Sequence, residues 1–179
     1  MTKSTFHASA AKFLAESFDV GMFKQHFFDE TSEFDEEEVV VFQGLWAGEK
    51  VSLKVNVVYF EDPDVLSIEA KSDILVPDER MNEVCILLCA INSRWEQGCL
   101  TASFDVRNYI TYRHSIEMWG AVPTYGMPRN LVLSAGFACD WWADHIRAVI
   151  EGKLSGREAA FLSRNYDEQG NMSLNVRQE

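Results

Sequence analysis

From Val51 to Phe60 every second residue is apolar: Val51, Leu53, Val55, Val57 and Tyr59 alternate with Ser52, Lys54 and Asn56. A period of two puts one set of side chains on one face of a strand, so this run predicts a half-buried β-strand. Val65 to Leu75 repeats the pattern, with Leu66, Ile68 and Ala70 against Ser67, Glu69 and Lys71, and Asp62-Pro63-Asp64 supplies a turn between the two. Val39 to Trp46 is β-rich and stops before Gly48. Connections this short fit hairpins, not crossovers, so the three runs predict an antiparallel sheet with one buried face. Two more strands follow later. Leu100, Ala102, Phe104 and Val106 alternate with Thr101, Ser103 and Asp105, and Tyr109 to Ile116 pairs back through a turn at Arg107-Asn108.

Elsewhere the period changes to that of a helix. Phe6, Ala10, Phe13, Leu14 and Phe18 recur at helical spacing and predict an amphipathic helix over Phe6 to Phe18. Pro77-Asp78 opens a second helix running to about Trp95, with Met81, Val84, Cys85, Leu88, Asn92 and Trp95 on one stripe and Gly98 as terminator. A third runs from about Pro128 to Ile150, lined by Leu131, Ala135, Ala138, Trp142, Ile146 and Val149, and ends at Gly152. Ser155-Gly156-Arg157-Glu158 has capping-box spacing and predicts a short helix over Ala159 to Leu162. The predicted order is α-β-β-β-α-β-β-α: an α+β fold, a five-stranded antiparallel sheet with helices packed on one face. Residues 1–162 form a single domain in this reading, and 163–179 a polar tail.

The middle helix carries an unusual load. Val84 to Ile91 is an unbroken run of eight apolar residues, whereas a helix covering one sheet face needs only one apolar stripe. Ile86, Ala90 and Ser93 lie opposite the stripe, and they are the candidate contact surface for a second copy of the chain in a symmetric homodimer. The alternative is that another element of the same chain, such as the N-terminal helix, covers that flank. A second candidate contact is the loop from Met118 to Pro128, which displays Trp119, Val122, Tyr125 and Met127; aromatic and methionine side chains are enriched at interfaces. The same side chains could instead tuck inward and hold the loop down.

Charge narrows the partners. The 179 residues carry a formal net charge of -12, and residues 29–38 alone hold seven carboxylates and no cation. That balance argues against nucleic acid and anionic membrane surfaces, which need clustered Lys and Arg. The acidic stretch reads as a solvated loop or as a lure for a basic protein. The first eighteen residues have no signal-peptide pattern and no apolar run reaches membrane-spanning length, so a reducing cytoplasm with free thiols is the expected setting.

Catalytic signatures are few. The chain contains neither GxxxxGK[ST] nor GxGxxG, no GxSxG and no HExxH, and His7, His26, His114 and His145 are scattered over four elements. Two clusters remain. Cys85 and Cys89 are one helical turn apart, but two thiols make half a zinc site, and Cys99 and Cys139 have no companion at CxxC spacing. Small apolar packing explains buried cysteines with less. Asp140, Asp144 and His145 could bind a metal or move a proton, but an exposed polar helix face explains them with less. The residues thus point to a non-enzymatic protein-binding module without cofactor or metal. The alternative is a small-molecule, metal or thiol-dependent sensor or enzyme built on those clusters.

The element order, the segment Asn92 to Leu100 and on through Phe104, and then Tyr112-Arg113 resemble the YbjN-like family over roughly Val39 to Gly152. Its pattern is an Asn on the middle helix, a Gly before the next strand and an Arg in the fifth strand, and Asn92, Gly98 and Arg113 stand at those places. The resemblance implies regulators of bacterial sensory transduction that share the fold of type III secretion chaperones. It further implies a homodimer in the bacterial cytoplasm and no established enzymatic activity.

Overall fold

The computed structural model of the chain describes residues 26–27, 39–60, 64–95, 97–103, 107–119 and 127–162. The predicted helix at Phe6 to Phe18, the acidic stretch 29–38, Phe104 to Val106 of the fourth predicted strand, Val122 and Tyr125 of the loop, and the tail 163–179 lie outside them.

Strands β1 (His26–Phe27), β2 (Val39–Ala47), β3 (Ser52–Phe60), β4 (Val65–Leu75), β5 (Cys99–Ala102) and β6 (Tyr109–Glu117) form one antiparallel sheet in the order β1-β2-β3-β4-β6-β5. The five longer strands are those expected from the alternation; β1 adds a two-residue edge. Helices α1 (Met81–Asn92), α2 (Met127–Ile150) and α3 (Gly156–Leu162) complete the α+β domain, and a single turn of 3-10 helix, Asp78–Arg80, leads into α1.

The period-two pattern sets the register. In β3, Leu53, Val55, Val57 and Tyr59 are buried; in β4, Leu66, Ile68, Ala70, Ser72 and Ile74 are. Across the sheet Val55 stands opposite Ala70, Ala70 opposite Tyr112, and Tyr112 opposite Leu100. A one-residue slip of any of these strands would turn its buried set outward. The same row meets the buried side of α2: Leu131, Val132, Ala135, Cys139, Trp142, Ile146 and Val149. The other face of the sheet is mostly polar, with Glu69 bridging Lys71 and Arg113.

Helix ends follow local chemistry. Gly152, at φ +75°, ends α2 in the left-handed conformation that glycine adopts without strain. Arg80 donates twice, from Nε (3.0 Å) and Nη2 (2.7 Å), to the Val149 carbonyl at that end. The capping box forms as its spacing predicts. The Ser155 N–H donates to the Glu158 carboxylate (2.8 Å), and the Glu158 N–H donates back to Ser155 Oγ (3.2 Å).

Two predicted details shift. Helix α1 stops at Asn92, short of Trp95. Its buried stripe is Met81, Val84, Leu87, Leu88 and Ile91, while Cys85, Asn92 and Trp95 are only half-buried. The reason is Asn92, which is drawn to the sheet edge. Its side-chain amide donates to the Leu100 carbonyl (2.8 Å) and accepts from the Leu100 N–H (2.9 Å), standing in for a further strand beside β5.

Candidate functional site

The outer flank of α1 is shared with α3. The Gly156 N–H donates to the Glu83 carboxylate at 2.6 Å, and a Cβ at Gly156 would lie 3.0 Å from the Ile86 Cβ and collide with the Glu83 carbonyl. The backbone of α3 therefore rests directly on α1 beside Ile86. Of the three candidate contact residues, Ile86 remains 39% exposed, Ala90 is half-buried against the core, and Ser93 is exposed, its Oγ donating to the Ala90 carbonyl (2.8 Å). Another element of the same chain thus lies against part of this flank, and it is α3.

At the start of the 118–128 loop the chain is anchored and then turns out. Met118 is buried and its N–H donates to the Asp64 carbonyl (2.9 Å). Trp119, the next residue, is 85% exposed and sits at φ +52°. A bulky residue in that region is strained by roughly 1–3 kcal/mol, which the surrounding structure must offset. Met127, at the far end, is half-buried against the core.

Asp140, Asp144 and His145 are not brought to one point. Asp140 accepts from three successive backbone N–H groups of the β2–β3 turn: Glu49 (2.9 Å), Lys50 (3.1 Å) and Val51 (3.0 Å). Asp144 pairs with the Lys50 ammonium, and Arg147 donates to the Lys50 carbonyl (2.6 Å). One edge of α2 thereby clamps the turn. Above the clamp the Trp46 indole packs against Gly136, where a Cβ would collide with the ring. His145 points elsewhere, into the core edge-on to Trp142 at 5.4 Å. Burial is the main cause of its lowered pKa; Asp144 pulls the other way and Lys50 adds to the lowering. The three side chains thus hold a turn and fill a core.

Cys85 is half-buried, Cys89 exposed, Cys99 half-buried and Cys139 buried, all as free thiols. Burial, with Asp140 nearby, pushes the Cys139 thiol up to about 12, which removes it from nucleophilic chemistry. Among the described residues no group of three or more His, Cys, Asp or Glu side chains could hold a metal ion, and no helix is long and apolar enough to cross a membrane.

The surface that the hydrophobic pattern does not announce is on α2. Phe137 is 66% exposed and Trp141 43%, one turn apart and on the side away from the buried stripe; Phe161 of α3 is 60% exposed. The signal in the sequence is two aromatics at i and i+4 outside the apolar stripe. Isolated apolar residues on a surface are ordinary; aromatics paired along one helix are the usual anchors of a contact.

The residues that carry the family resemblance have architectural roles. Asn92 secures β5. Gly98 sits at φ +72°, and a Cβ there would lie 2.5 Å from the Tyr112 hydroxyl, which donates to the Gln97 carbonyl (2.9 Å). Arg113 is exposed and paired with Glu69. No family model, curated protein or solved structure matches the chain.

Proposed function

We propose that this chain is a non-enzymatic protein-binding module that acts as a homodimer, in a regulatory or chaperone-like role. The observation that carries this reading is the exposed pair Phe137 and Trp141 on α2, a helix whose other side is committed to the core. Aromatics held on a rigid helix lose little conformational freedom on binding and bury a large area, so they favour protein contacts. Ile86 and Phe161 add apolar surface on the other two helices. The acidity of the chain keeps polyanions away and favours a protein partner with basic surface. The clamp role of Asp140 and the core position of His145 weaken the enzymatic alternative, since both residues already have structural work. The resemblance to the YbjN-like family and the secretion-chaperone fold points to the same class of activity, although fold alone does not transfer a task.

Sedimentation velocity on the full chain tests this reading. A dimer at tens of micromolar is expected, converted to monomer by Phe137→Asp with Trp141→Asp. A monomeric wild type at that concentration contradicts it.

A further inference from the structure

Cys85 and Cys89 do not behave alike as space-fillers. Cys85 packs against the core, but Cys89, one turn on, is exposed, so burial as a small apolar residue does not account for it. Residues 85, 89 and 92 share one flank of α1 by helical period, and Asn92 fixes that flank toward β5. Glu83, which bonds the first residue of α3, lies about a third of a turn round the helix from Cys89, and Cys89 stays exposed beside Ile86. Side chains at i and i+4 have Cβ atoms about 5–6 Å apart, within range for two sulfurs to converge on one atom. Cys89 lies close enough to act on its neighbour: after burial, its charge is the next cause holding the Cys85 thiol above its ordinary value. The other thiols do not join them. Cys139 is buried on α2, and Cys99 alternates with the inward-facing Leu100, which turns it to the opposite side of the sheet.

A zinc ion needs four donors, and the described residues offer no such group. A soft, univalent cation is satisfied by two thiolates. We propose that Cys85 and Cys89 form a two-thiolate site for a soft two-coordinate cation, copper(I) being the type. Binding breaks two S–H bonds, forms two Cu–S bonds and releases two protons, with no change of oxidation state. Because each thiol must lose its proton to bind, affinity rises with pH wherever protons are released on binding, by up to about 100-fold per unit for two protons.

The test is anaerobic titration of the reduced full chain with copper(I) held in a chromophoric chelator. The wild type and a Cys99→Ser, Cys139→Ser double variant are each expected to withdraw one equivalent. Cys85→Ser and Cys89→Ser are expected to weaken uptake by about 100-fold or more, because either leaves a single thiolate. Cys89 is exposed, so Cys89→Ser retains the fold and decides the matter even where Cys85→Ser does not; circular dichroism checks this. Failure of the wild type to take copper from the chelator, or undiminished uptake by Cys89→Ser, overturns the proposal.

Discussion

At the scale of single residues, the most consequential side chain is Asp140. Its carboxylate collects three backbone N–H groups from a turn about ninety positions earlier in the chain. Asp140→Ala would leave those donors to water and remove the tie between α2 and the β2–β3 turn. We expect a loss of about 1–3 kcal/mol in urea unfolding, with faster amide exchange confined to Glu49, Lys50 and Val51. His145 sets a pH dependence. Its imidazole is buried and its pKa lies below the unfolded value of about 6.5. The unfolded state therefore binds the proton first on acidification. The contribution of neutral His145 is complete above about pH 6.5 and is lost as pH falls toward the folded pKa. Between pH 7.5 and 5.5 the urea midpoint of the wild type should fall more than that of His145→Gln; equal falls would show that His145 is not a source. Neither role is legible in the sequence. Asp140, Asp144 and His145 are visible there as neighbours on a helix, but their separate roles depend on contacts with Lys50 and the core that lie far off in the chain. The capping pair Ser155 and Glu158 is legible, because both partners lie within one turn.

At the scale of elements, the alternation of Leu53 to Tyr59 and Leu66 to Ile74 predicts strand faces correctly because a period of two survives any tertiary setting. The run Val84 to Ile91 is less decisive. Eight apolar residues leave the direction of the buried stripe undetermined, and the choice falls to Asn92 reaching for β5 and to α3 packing beside Ile86. Two substitutions probe these joints. Asn92→Ala removes both bonds to Leu100 and uncovers the edge of β5. It should destabilise the fold by about 1–3 kcal/mol and raise exchange at the Leu100 amide. Gly156→Ala would drive a methyl into the Glu83 carbonyl and lift α3 from α1. Limited proteolysis should then cut within 151–162 much faster than in the wild type, while the far-ultraviolet signal of the sheet persists. Unchanged cleavage would mean that α3 docks without that close approach.

For the whole molecule, the described sheet carries α1, α2 and α3, and these helices expose Phe137, Trp141, Phe161 and Ile86. Burying an aromatic anchor at the centre of a contact is commonly worth about 2 kcal/mol or more, so in the proposed dimer losing Phe137 and Trp141 together should weaken association far beyond tenfold. Net charge alone argues against polyanionic partners, but which helix face is left open cannot be read from composition. That depends on how α2 rolls onto the sheet, and Trp46 against Gly136 fixes the roll. The most direct measurement places benzoylphenylalanine at position 137 of the full chain and irradiates it at tens of micromolar. A covalent dimer, joined through α2 of the second copy, is the predicted product. Labelled monomer alone, under conditions where the photophore is consumed, would contradict the account.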